Sequence, residues 1–228
     1  MFGVFGSSVH TSQPQSPAPR KAAASPASSA APSTANVPAA AGASRIVAGV
    51  PVGYKRTVFG AISASTNYLV AFSQPRMFNP SSLQAAVTQL SDPSDISELL
   101  ASLQPGMNQA ADALKVDPAT GQSSMGQLVS RAIPVGYRVV HYDGDTARVA
   151  VWLNGLEGAA GATSTMPVVS SWMTDTVDLR WTHGDWKWSG FVQSQGPTPV
   201  GTVNAPSDWQ DIADAATSFT PYGYGADQ

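Results

Sequence analysis

Tyr137-Arg138-Val139-Val140-His141-Tyr142-Asp143-Gly144, followed by Asp145-Thr146-Ala147-Arg148-Val149-Ala150-Val151-Trp152-Leu153, decides the fold. Apolar and polar residues alternate on either side of Asp143-Gly144, a dipeptide that favours the positive backbone angles of a tight hairpin turn, so two antiparallel strands are predicted. A third strand follows, in which Val169, Met173, Val177, Leu179 and Trp181 share a face that Ser171 and Asp175 interrupt. His183-Gly184-Asp185 then turns the chain into a fourth strand, Trp186 to Gln193. Residues 133–193 therefore read as a curved four-stranded antiparallel sheet, entered after Pro134, with the Gly- and Ala-rich run Gly155 to Thr165 as a loop between the second and third strands.

Helices precede this sheet. Val58, Ile62, Tyr68, Leu69 and Phe72 recur at helical spacing and predict an amphipathic helix over 57–73. Asn79-Pro80 supplies an N-cap and a first-turn proline for a second helix carrying Leu83, Ala86, Val87 and Leu90. Asp92-Pro93 repeats the device for a third, with Ile96, Leu99, Leu100, Leu103 and Met107 on one face and a break or kink at Pro105-Gly106. Met125, Leu128 and Val129 predict a short helix over 124–131. After the sheet, Ser207 and Gln210 form a capping box for a C-terminal helix whose stripe is Trp209, Ile212, Ala213, Ala216 and Phe219. The class is α+β, a cone-shaped arrangement of helices on a sheet. Val50-Pro51-Val52-Gly53-Tyr54 is echoed by Ile133-Pro134-Val135-Gly136-Tyr137, but the residues that follow do not align.

The flanks are different in kind. Residues 7–44 are almost wholly Ser, Ala, Pro, Thr and Gln, too poor in apolar side chains to form a core, so 1–44 reads as an extended linker, 45–220 as one domain and 221–228 as a frayed tail. Met1-Phe2-Gly3-Val4-Phe5-Gly6 is too short for a signal peptide, and no window approaches the ~18–20 apolar residues of a transmembrane helix. Membrane attachment is expected only through a segment not present in this chain.

Composition narrows the chemistry. Only 12% of the residues are charged, the formal net charge is −3, and the 12 basic residues are scattered, which argues against a nucleic-acid partner. Cysteine is absent, which rules out thiol chemistry and thiolate metal sites. The three histidines, His10, His141 and His183, have no metal-competent neighbour at a fixed offset, so no metal and no cofactor are expected. No serine lies in a nucleophile elbow, and the Gly155–Gly161 run lacks the spacing of a phosphate loop. No residue is assigned a catalytic role.

Asp175 is the most suggestive acid. Pointing into the helix-covered face it would be a general base with a raised pKa, whereas the plainer expectation has it capping an exposed edge while Asp178 pairs with Arg180, Arg148 or Lys187. Tyr68, His141, Asp175 and Trp181 are the candidate lining of a small-molecule pocket. Trp152 and Trp172 are the candidate contacts for a protein partner or a second copy, provided that they are exposed.

The order of elements across about 57–194 resembles the nuclear-transport-factor-2-like superfamily, also called cystatin-like or SnoaL-like. Val50 to Thr57, the helix Gly60 to Tyr68, the strand Ser170 to Trp181, Gly184-Asp185-Trp186-Lys187 and Gly196-Pro197-Thr198-Pro199 resemble extracytoplasmic proteins of high-GC Gram-positive bacteria. In that group a membrane helix and a Pro/Ala/Ser linker precede such a domain. The resemblance extends to the assembly subunits of type IV secretion and conjugation channels. It implies a non-enzymatic, extracytoplasmic scaffold; a small-molecule binder or ketosteroid-isomerase-like enzyme is the alternative. This chain departs from the pattern by showing no membrane helix.

Overall fold

The sheet forms because four long segments pair in sequence. In the computed structural model, which describes residues 42–201 and 203–222, β3 (Gln127–Tyr142), β4 (Thr146–Ala160), β5 (Val169–Thr182) and β6 (Asp185–Gln195) make an antiparallel meander. A short β7 (Thr220–Pro221) adds to β3 at Gly136 and Tyr137, so the sheet has five strands, not four, in the order β6-β5-β4-β3-β7. The β5–β6 turn puts His183 at φ 53° and Gly184 at φ 76°, two consecutive positive angles that suit a right-twisted hairpin.

Two expectations about β3 and β4 fail together. Residues 127–131 are strand, not helix, and Gly155–Ala160 is strand, not loop, because the two segments pair with each other from Gln127↔Ala160 to Ala132↔Gly155. The spacing of Met125, Leu128 and Val129 mimics a helix turn, and glycine and alanine are poor strand formers, yet continuous cross-strand pairing outweighs both local preferences.

The N-terminal part opens on a small hairpin, β1 (Arg45–Val47) and β2 (Val50–Val52). Helix α1 (Val58–Phe72) follows, with Thr57 as N-cap accepting from the Gly60 amide. It lies across the meander and touches β3, β4, β5 and β6 as well as β2. Because it is enclosed on both sides, Gly60 through Leu69 are all buried, including Ser63, Ser65, Thr66 and Asn67. Gly60 sits so close to the preceding loop that a Cβ there would lie 1.9 Å from the Lys55 carbonyl oxygen.

Helix α2 (Pro80–Leu90) has the expected cap, Asn79 accepting from the Ser82 amide. Helix α3 (Ile96–Ala113) is continuous through Pro105, which does not divide it. On the opposite face of the sheet lies α4 (Trp209–Ser218). Asp208, not Ser207, caps it, accepting from the Asp211 amide, while Ser207 Oγ accepts from the Thr198 amide. Of the predicted stripe only Phe219 is buried, with Ala215 beside it; Trp209 is 78% exposed.

Ala43 packs on the core and the Ser44 amide donates to the Val52 carbonyl, so both belong with the domain expected from residue 45. At the other end Pro221 is in β7 and Tyr222 is buried, which places both in the domain and not in a tail. The linker expected before residue 42 and the tail expected from 223 lie outside the described residues.

Candidate functional site

Strand parity builds the most unusual feature. Ser171, Met173, Asp175, Val177 and Leu179 alternate onto the helix-covered face of β5, and all five are buried. A carboxylate thus stands among apolar neighbours. Register carries the row across the sheet: Tyr137 in β3 faces Val151 in β4, Val151 faces Asp175, and Asp175 faces Gln193 in β6.

Asp175 is 2% exposed. Burial disfavours its charged form and pushes its pKa up to about 7, against the partial counter-effect of a hydrogen bond from the Gln193 side chain. Its Oδ1 has no hydrogen-bond partner among the described residues, and the same holds for the Tyr137 hydroxyl, whose own pKa burial also raises. The Tyr137 ring packs 5.2 Å from that of Tyr222, whose hydroxyl meets Thr66 Oγ1 on α1 at 2.5 Å. A carboxyl that titrates near neutrality, with a phenol in the same transverse row, can hydrogen-bond a polar group or exchange a proton with one.

The structure does not gather the four residues expected to line a pocket. Tyr68 is fully buried, but its hydroxyl donates to the Trp186 carbonyl at 2.6 Å and its ring stands edge-on to Tyr54 at 5.8 Å. Burial raises its pKa strongly, so it remains a neutral structural donor. Trp181 is half-buried at the β5–β6 hairpin, 5.4 Å from Trp186 and six residues along the strand from Asp175, about 20 Å. His141 is exposed on β3, its Nε2 3.2 Å from Asp143 Oδ2 and from Thr146 Oγ1. Only Asp175 occupies the position that a pocket reading requires. Tyr137, its companion in the row, was missed: counting across the hairpin from Asp143-Gly144 fails because the register shifts between Val139 and His141.

The acids divide by role. Asp178 pairs with Arg148 at 3.1 Å, one of the expected partners, whereas Asp175 caps no edge. Asp185 is an internal latch, its two oxygens accepting from the amides of Gly53 and Tyr54 at 2.9 Å each, with Lys187 Nζ at 3.3 Å from Oδ2. Sequence spacing carries no sign of a contact 132 residues long.

Trp152 and Trp172 stack against each other at 5.3 Å on the sheet face that α4 covers. Both are half-buried, Trp152 Nε1 donating to the Pro197 carbonyl and the Trp172 amide to Asn204 Oδ1. The large apolar side chains most exposed among the described residues are elsewhere, on Trp209, Ile46, Val200, Val203, Val192 and Val140.

Grooves flank the sheet, a shallow one of about 270 Å³ beside His141, Arg148 and Asp178 among them. Another, of about 400 Å³, runs between α3 and β6, with Leu99, Leu103, Trp188 and Phe191 inside and Glu98 and Arg180 along it. A third, about 440 Å³, lies under α4 and is lined by Arg138, Thr174, Ser194, Asp211 and Asp214. Among the described residues no group of three or more His, Asp or Glu could hold a metal ion, and no helix is long and apolar enough to cross a membrane.

No curated protein and no solved structure matches the chain. A family model does, over residues 6–211, most of its length, and by that match the chain belongs to the family described as Domain of unknown function (DUF8175).

Proposed function

We propose that this domain is a non-enzymatic interaction module of the cell envelope, working outside the cytoplasm as an accessory subunit of a conjugation or secretion apparatus. The observation that carries the reading is the distribution of apolar surface. The helix-covered face is filled by α1 and by Trp186 and Trp188, each fully buried, while Trp209, Val200, Val203, Val192 and Val140 remain in solvent at 51–78% exposure. Apolar side chains left outside a well-filled core suit contact with another protein. A helix laid over an antiparallel meander supports the cone-shaped, nuclear-transport-factor-2-like reading of the fold, and scaffolding needs no more than such a rigid body. The test is site-specific photo-cross-linking in the source cells from positions 140, 192, 203 and 209. Discrete adducts from at least one of them are expected. A well-expressed protein that gives no adduct from any of the four overturns the reading.

Asp175 and Tyr137 favour a second reading, a binder of a small apolar molecule with one polar group, or an isomerase of the ketosteroid type, using the row Tyr137–Val151–Asp175–Gln193. Its test is native mass spectrometry of the gently purified protein. A bound small molecule, lost in Asp175→Asn and Tyr137→Phe, is expected; an unliganded wild type rejects it.

A further inference from the structure

The meander ends in an unfinished edge. β6 is the outermost strand, and the one strand-type pairing on its far side among the described residues is a parallel bridge from Ser91 to Trp188. The chain then turns away at Asp92-Pro93 into α3, which stands off from β6 instead of covering it. The groove of about 400 Å³ lies in that gap, with Leu99 and Leu103 on one wall and Trp188 and Phe191 on the other. Residues 189–195 include no charge and no proline, two of the devices that keep a strand edge from pairing. The groove wall also carries a donor without an acceptor: Trp188 is fully buried, and its Nε1 has no hydrogen-bond partner among the described residues. An extended backbone suits such a gap better than a helix or a compact ligand, because only a strand continues the main-chain ladder that Ser91 begins.

The chain outside the described residues holds one apolar run. Met1-Phe2-Gly3-Val4-Phe5-Gly6 is apolar throughout, whereas the large apolar residues of 7–41 are Val9 and Val37, each isolated. Six extended residues span about 20 Å, close to the length of β6 beyond Trp188. Strand alternation puts Phe2 and Val4 on one face and Met1 and Phe5 on the other, so one pair can enter the groove while the other covers Val192, the residue next to Phe191 and 55% exposed. Reach is sufficient. Gly42, the first of the described residues, sits where a Cβ would be 3.6 Å from the Tyr54 ring, and the Tyr54 amide is held by Asp185 at the start of β6. From Asp185 to Phe191 is about 20 Å of strand. The connection 7–41, about 35 residues of mostly Ser, Ala and Pro, has an expected end-to-end span of about 30–35 Å. Charge agrees as well: Arg20 and Lys21 are the charged residues of that connection, and Glu98 on the groove has no ion-pair partner among the described residues, since Arg180 beside it pairs with Asp95.

We propose that residues 1–6 dock in the α3–β6 groove of their own chain as an added strand on the edge of β6. Docked, the segment closes an edge that would otherwise pair with other chains. A six-residue contact is too small to hold a separate peptide tightly, but the connection through 7–41 makes the encounter intramolecular, at an effective concentration on the order of millimolar. The contact is independent of the interaction reading, which keeps Val140, Val203 and Trp209 as its exposed positions.

Paramagnetic NMR of the full chain tests this. Since the chain has no cysteine, Ser7→Cys takes a single nitroxide beside the segment. The backbone amides of 99–103 and 189–192 are expected to lose most of their intensity and to regain it when the nitroxide is reduced, while those of Asp211 and Asp214 on α4 keep theirs. Phe2→Ser with Phe5→Ser in the labelled chain is expected to abolish the loss and leave the rest of the spectrum unchanged. Groove amides that keep full intensity in the labelled chain overturn the proposal while leaving the interaction reading to the cross-linking experiment. A loss that survives Phe2→Ser with Phe5→Ser reflects the nearness of the connection alone and also overturns it. The same loss in an isotope-enriched chain without nitroxide, mixed with a labelled chain of natural isotopic abundance, puts the segment in the groove of a second copy and overturns the assignment to the same chain.

Discussion

Replacing Asp175 with asparagine should make the protein more stable at alkaline pH and leave it nearly unchanged in acid. The carboxyl has a pKa of 3.8 when solvated and about 7 when folded, with burial the main cause. The folded state therefore holds the proton more tightly than the unfolded chain does, so stability falls as pH rises from about 4 and levels off once pH exceeds about 7. At 1.36 kcal/mol for each tenfold change in proton affinity, the charged carboxylate costs the folded state about 4 kcal/mol above pH 8. Local relaxation lowers this, and a net gain of about 2–4 kcal/mol is expected for Asp175→Asn at pH 8.5. Urea unfolding at pH 4.5, 6, 7 and 8.5 measures it directly. For a domain of this size a gain of that order raises Tm by roughly 5–12 °C. The argument collapses if wild type and variant are equally stable at pH 8.5, or if the wild type gains stability between pH 5 and 8 relative to the variant.

Asp185→Ala strands the buried amides of Gly53 and Tyr54 and should cost about 3 kcal/mol or more in urea unfolding at pH 7. Gly60→Ala forces α1 away from the Lys55 carbonyl, and a loss of about 2–3 kcal/mol is expected by the same assay; a neutral result would refute the close approach. Pro105→Ala restores a missing amide donor within α3 and should stabilise by about 1–3 kcal/mol, whereas destabilisation would show that Pro105 does not lie in a regular helix.

Local chemistry in the sequence announced most of the elements. Thr57 and Asn79 mark helix starts by their side-chain oxygens, and the Asp143-Gly144 and His183-Gly184 turns define the two tight hairpins. The alternation of 169–181 put Asp175 in line with Met173 and Val177, yet the plainer expectation of an exposed edge position proved wrong, since the carboxylate is buried with them. What was illegible depends on partners distant in the chain. The strand character of Gly155–Ala160 exists because Gln127–Ala132 lies beside it, and neither segment shows it alone. The orientation of α4 is hidden for the reverse reason: its amphipathic stripe is genuine, but amphipathicity says nothing about whether the sheet or the solvent receives it. The site suffered most, since Tyr68 and Asp175 look alike as isolated polar residues in apolar runs. Only the Trp186 carbonyl above Tyr68, and the lack of any equivalent for Asp175 Oδ1 among the described residues, separate a satisfied group from an unsatisfied one.

The latch at Asp185 also constrains the order in which the chain can mature. Gly53 and Tyr54, at the doorway to α1, find their acceptor only after more than 130 further residues have been made, and Trp186 Nε1 closes the same seam on the Lys55 carbonyl. A nascent chain emerging from its N-terminus thus carries α1, apolar and enclosed on both sides when folded, with nothing yet to enclose it. Contacts of such long sequence separation form late and slowly. Closure of the domain therefore awaits synthesis of its last long strand, which carries both partners of that seam.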